Sequence, residues 1–184
     1  TLRVPASSKS STFRVVTWRG PASRRGVFAR LLEQPFEMVR FERGGPRHWP
    51  EVVRTSGVVS PDTSAYVVDR ITLPIPNPWR RNVRPADVDF FRDGRAAVVT
   101  FEGDVWIVKG IDRDLDRLEW KRFASGLYET LAIEVVDEQV YVYGREGIVR
   151  LHDLNRDGEA DYYENFTNLI VQSIESREFP LSMD

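Results

Sequence analysis

The sequence predicts an all-β fold for the second half of the chain, preceded by an irregular basic arm. Three observations carry this expectation. Short apolar runs of alternating polarity follow Pro85, glycine-bearing turn signals separate them, and the same pattern returns about 44 residues later.

Taken in order, residues 1–12 are Ser-rich and too poor in apolar side chains to order by themselves. "FRVVTW" (13–18) reads as a short strand. "SRRGVFARLLEQPF" (23–36) reads as a helix of at most two turns, interrupted by Pro35. From Phe36 to Ser60 the pattern is weak. "SAYVVDRITLPIPNPWRR" (64–81) reads as one strand and then an extended segment, because Pro74, Pro76 and Pro78 exclude both helix and central strand. The expected organisation is an arm over 1–63 and a sheet region over 64–184.

Beyond Pro85 the strands are "VDFF" (88–91), "RAAVVTF" (95–101), "DVWIVKG" (104–110) and "LEWKRFA" (118–124). They are followed by "LAIEVV" (131–136), "QVYVYG" (139–144) and "GIVRLHD" (147–153). Shifting the first group onto the second sets Asp93 on Asp137, Val98 on Val142, Glu102 on Glu146, Gly103 on Gly147 and Ile107 on Leu151. A period of roughly 40–45 residues with about four strands per unit is the signature of β-propeller blades; two tandem hairpins in a sandwich are the alternative. The fold class is therefore a partial β-propeller of about two four-stranded blades. A propeller needs about four blades to close, so the remaining blades are expected on the same polypeptide or on another chain. "REFPLSMD" (177–184) reads as the start of a further inner strand, with an exposed apolar edge expected near Leu181.

The chain has 184 residues, 41% apolar and 29% charged, and no apolar run approaching the roughly 20 residues that cross a membrane. It has no cysteine, which excludes disulfides, thiolate metal sites and covalent haem attachment within this segment. The net charge of −2 hides an asymmetry: residues 1–54 carry 11 Lys or Arg against 4 Asp or Glu. The arginines of the arm are scattered and follow no nucleic-acid motif, so the arm reads as solvated or partner-covering, and no nucleic acid is expected.

"DLNRDGEADYYE" (153–164) sets oxygen-bearing residues at positions 1, 3, 5, 9 and 12 of a calcium loop, with Gly158 at position 6. The expected ligands are the side chains of Asp153, Asn155, Asp157, Asp161 and Glu164 with the Glu159 carbonyl. An acidic turn is the alternative reading. The entering segment reads as a strand and only the exiting "ADYYENFTNLIVQSI" as a helix, which favours a structural ion over a sensor. His152 reads as packed or surface-lying rather than as a base, and His48 has no evident partner. No catalytic triad, histidine pair or phosphate loop can be assembled. Trp106 and Trp120 read as core, Trp79 as an exposed platform between prolines and Arg80–Arg81, and "NFT" (165–167) matches a glycosylation acceptor.

"NPWRRNVRPADVDFFRDGRAAVVTFEGDVW" and "RLHDLNRDGEADYYENF" resemble the propeller region of large exported bacterial proteins similar to glucose/sorbosone dehydrogenases, over about residues 64–184. The resemblance implies a periplasmic or secreted location and a propeller containing calcium. It implies pyrroloquinoline quinone bound by regions outside this segment, oxidation of carbohydrate, and electron transfer to a c-type cytochrome whose haem sits on a partner or adjoining domain. It assigns no catalytic residue here. A non-catalytic propeller, serving as a platform for carbohydrate or another subunit, is the alternative.

Overall fold

The structure, a computed structural model, describes residues 15–33, 41–170 and 183. The chain divides into two compact units, Thr1–Val39 and Arg40–Asp184. In the first, a short 3-10 turn, Ala22–Arg24, leads into helix α1, Arg25–Glu33, and Trp18 stacks on Phe28 at 5.8 Å. The helix matches expectation, whereas Val15–Trp18 forms no strand, since no neighbouring strand takes up its backbone groups.

The second unit is antiparallel β-structure. Its strands are β1 (Val52–Thr55), β2 (Gly57–Val58), β3 (Arg70–Ile71), β4 (Pro85–Phe90), β5 (Ala96–Thr100), β6 (Val105–Lys109), β7 (Leu118–Ala124), β8 (Ala132–Val136), β9 (Gln139–Gly144), β10 (Gly147–His152) and β11 (Tyr162–Thr167). One sheet has the order β1-β7-β6-β5-β4, a second β11-β10-β9-β8, and β2 pairs with β3 alone. Strand β1 lies within the stretch expected to be part of the arm. Its alternating valines pair with the edge of β7, Val52 opposite Lys121 and Thr55 opposite Leu118, so the contacts divide at Arg40 rather than at residue 63. Only Arg70 and Ile71 of the strand expected around 64–73 are paired, and 177–182 lie outside the described residues.

Strands β4–β7 and β8–β11 are two meanders of the same design. Asp93 and Asp137 both sit in the turn between first and second strands, and Gly103 and Gly147 both in the second hairpin with positive φ. Pairing partners refine the repeat. Val88 faces Val98 and Ile133 faces Val142, an offset of 45 residues in the first strand; Val98 faces Trp106 and Val142 faces Val149, an offset of 43 in the third. Val108, rather than Ile107, is therefore the counterpart of Leu151. The cause is the second hairpin, in which Thr100 and Asp104 flank three residues (101–103) in one unit and Gly144 and Gly147 flank two (145–146) in the other. Among the described residues the sheets do not close into a barrel or ring.

The core has two layers. Between the sheets, Ala97, Val99, Val105, Ile107 and Phe123 meet Ile133, Val140, Val142 and Leu151. On the other face of the first sheet, Ala96, Val98, Trp106, Val108, Leu118 and Trp120 are covered by Val83 and Leu115, with Leu73, Trp79 and Ile111 partly buried against them. All of β5 is buried, which explains its uninterrupted apolar run. Trp79 is thus no exposed platform: it packs on Trp106 at 5.7 Å.

The sheets are also joined by hydrogen bonds. The Ile133 amide donates to Asp87 (3.0 Å) and the Val135 amide to Asp89 (2.7 Å), so carboxylates of β4 satisfy the free edge of β8. Arg92 extends the join, donating from its amide to Glu138 and from its side chain to Asp137. Asp104, fully buried, accepts from Arg81 and Arg122 at 2.8 Å each, which is how a charge is tolerated there.

Two outcomes are expected. Asp89→Ala leaves the Val135 amide without an acceptor and lowers stability by roughly 1–3 kcal/mol, with hydrogen exchange accelerating first at Val135. Gly103→Ala costs about 2 kcal/mol or more in urea unfolding, because a left-handed backbone is strained for alanine; the added Cβ would also lie 1.8 Å from the Leu127 carbonyl oxygen.

Candidate metal centre

Strand β10 ends at His152 and β11 begins at Tyr162, which leaves the acidic loop between them. The exit is a strand, not the expected helix, because alternating side chains pair it along β10, with Tyr163 opposite Leu151. The loop turns through Arg156 (φ 60°) and Gly158 (φ 86°); the added Cβ of an alanine at 158 would come within 2.5 Å of the Lys121 ammonium.

The loop oxygens gather around the loop amides. Asp153 accepts from the amides of Asp157 (3.0 Å) and Gly158 (2.7 Å), and Asn155 Oδ1 also accepts from Asp157 (3.0 Å). Asp157 accepts from the Glu159 amide at 2.9 Å, and Asp161 from the Leu154 amide at 2.9 Å. Short polar side chains reaching backbone amides two to seven residues away are what fix such a loop without regular structure.

Residues 44–49 cross this loop. The Gly45 amide donates to Asp161 (2.7 Å), and Asn155 Nδ2 donates to the Gly45 carbonyl (2.7 Å). Glu159, 4% exposed, accepts from the amides of His48 (2.6 Å) and Trp49 (2.9 Å). Arg47 and Lys121 both donate to the Asp157 carbonyl oxygen, and the Ala160 amide donates to Phe123 of β7 at 2.8 Å. Burial lowers the Lys121 pKa from the ordinary lysine value and neighbouring Arg47 lowers it further, against the opposing pull of Asp157, Glu159 and Asp153.

The fit to a hard cation is partial. Asp153, Asn155, Asp157 and Asp161, at positions 1, 3, 5 and 9, keep unused lone pairs beyond the amide bonds they accept, and the Glu159 carbonyl completes the set that would hold an ion. Glu164 does not join them. It stands on β11, 2.7 Å from His152 Nε2 and 3.9 Å from Arg150, and accepts from no loop amide. Among the described residues no three Asp, Glu, His or Cys side chains converge as a ready metal centre. His152, half-buried, bonds Glu164 through Nε2 and lies beside Tyr162.

Sequence reasoning missed the crossing segment 44–49 and the two cations Arg47 and Lys121. The partners lie 36 to 116 residues apart, and "GGPRHWP" carries no periodic signal.

Glu159→Ala is expected to lower stability by roughly 2–3 kcal/mol, since two amides lose a charged acceptor. Hydrogen exchange at His48 and Trp49 should accelerate while the Val135 amide stays protected. Comparison with known protein families, with curated proteins and with solved structures gave no match.

Proposed function

We propose that residues 85–167 are two successive blades of a calcium-containing β-propeller of the glucose/sorbosone dehydrogenase type, acting in the periplasm or outside the cell. The observation that carries this reading is the repeat of a four-stranded meander with its turns in the same places and its first strands, β4 and β8, side by side. Apolar side chains on the outward faces support further blades as partners: Val88 and Phe90 on β4 are 49% and 54% exposed, and Tyr162 and Phe166 on β11 are 53% and 55% exposed.

Calcium in this reading is structural. Held by Asp153, Asn155, Asp157, Asp161 and the Glu159 carbonyl, it would draw together carboxylates that otherwise repel, and it would fix the loop that bonds to β7 of the preceding blade. The activity implied for the whole protein is oxidation of carbohydrate with pyrroloquinoline quinone, the electrons passing to a c-type cytochrome. A second reading is a propeller platform that binds carbohydrate or a subunit without redox chemistry, since a fold alone does not carry catalysis. Sugar-dependent dye reduction by the intact protein supplied with quinone separates the two; its absence selects the platform.

Calorimetric titration with calcium tests the loop. Binding to the folded state stabilises by about 2.7 kcal/mol when free calcium stands a hundredfold above the dissociation constant, so chelation should lower Tm. Asp157→Ala should abolish that difference. Glu164→Gln should leave calcium affinity within a few-fold of the original, because Glu164 stands apart from the loop oxygens. No heat and no Tm change up to millimolar calcium would leave the loop an acidic turn.

A further inference from the structure

Below the apolar layer between the two sheets lies a cleft of about 750 Å³, floored by Ile107, Phe123, Val140 and Leu151. Its lining carries Arg95, paired with Asp93 and Glu138, and four further cations, Arg47, Lys109, Lys121 and Arg156. None of these four has a carboxylate oxygen within 4.0 Å among the described residues. The acidic groups of the lining are engaged elsewhere: Glu119 pairs with Arg54 at 2.9 Å, Glu138 with Arg95, and Asp153 and Asp157 accept loop amides. Arg47 and Lys121 are drawn together on one neutral acceptor, the Asp157 carbonyl. Two cations held side by side over an apolar floor, with no carboxylate in ion-pair distance among the described residues and Asp157, Glu159 and Asp153 acting on Lys121 only from farther off, are a receptor for an anion. The volume falls in the range of small-molecule sites, about 300–1,000 Å³.

We propose that this cleft binds an organic oxyanion, a carboxylate or phosphate group on a small apolar body, with the charged group at Arg47 and Lys121 and the apolar body against Ile107, Phe123 and Leu151. Lys109, exposed at the outer end of β6, adds attraction at the entrance.

The test is a titration of the whole chain, followed by tryptophan fluorescence and calorimetry, with hexanoate, hexyl phosphate and hexan-1-ol at constant ionic strength. A chelator is present, so the outcome does not depend on calcium in the loop. Saturable binding of the two anions, and none of the alcohol, is expected; the tighter of the two identifies the preferred group. Lys121→Gln and Arg47→Gln should each weaken binding roughly tenfold, the loss of one charge-assisted contact. Among the described residues both side chains hydrogen-bond only to a loop carbonyl, so the variants should fold, which their thermal melts will establish. Lys109→Gln should weaken binding less, and Arg92→Gln, outside the cleft, not at all. Equal affinity in wild type and the Arg47→Gln/Lys121→Gln double variant overturns the proposal. So does equal binding of the alcohol, or no saturable binding of either anion at tens of millimolar.

Discussion

Two carboxylates of β4 hold two amides of β8, and the relation between the sheets depends on that join. A first strand at the edge of a meander leaves every second amide without a partner, and such an edge invites pairing with another chain. Here Asp87 and Asp89 take those amides at 3.0 and 2.7 Å. The acceptors are side chains, so the sheets need not run on as one continuous ladder. They meet at an angle free enough for Ala97, Val99 and Ile107 to pack against Ile133, Val142 and Leu151. The apolar layer supplies most of the stabilisation, and the two carboxylates supply its register.

A second polar join lies at the β5–β6 hairpin. Asp104 is buried with Arg81 and Arg122, and the Arg122 guanidinium lies 4.4 Å from the centre of the Trp49 ring. Arg122 Nη2 also reaches Ser125, whose amide donates to the Tyr163 hydroxyl and whose carbonyl accepts from it. Through these contacts β7 of the first sheet, the crossing segment and the outer strand β11 of the second share one network. A charged cluster of this kind stabilises little against an apolar replacement, but removing one member strands the others.

The acidic loop sits where these connections meet. It bonds to β7 through Ala160, to the crossing segment through Asn155, Glu159 and Asp161, and to Lys121 and Arg47 through a single carbonyl. Its negative charge is thus balanced partly by cations that also line the cleft. A cation bound in the loop would neutralise Asp153 and Asp157, leave Arg47 and Lys121 with less opposing charge, and so strengthen the attraction of the cleft for an anion. The acidic loop and the cleft share this electrostatic link, although the groups that would hold a cation and an anion are different.

The features legible in the chain alone are local ones. Strands β4 to β10 follow from period-two alternation and turn residues, to within a few residues of the expected bounds, and the repeat follows from turn signals that recur with the strands. The loop was legible because the spacing of Asp153, Asn155, Asp157 and Gly158 is set within a few residues of chain. Tertiary structure decided the rest. Strand β1 became a strand only by pairing with β7, and the segment after the loop became β11 only because β10 offered it an open edge. Glu164, right in spacing, was turned by that pairing toward His152 and Arg150. Glu159 acquired its side-chain role from amides 110 and 111 residues away. No local pattern encodes such partners, because a carboxylate's preference for an amide is the same wherever the chain brings one.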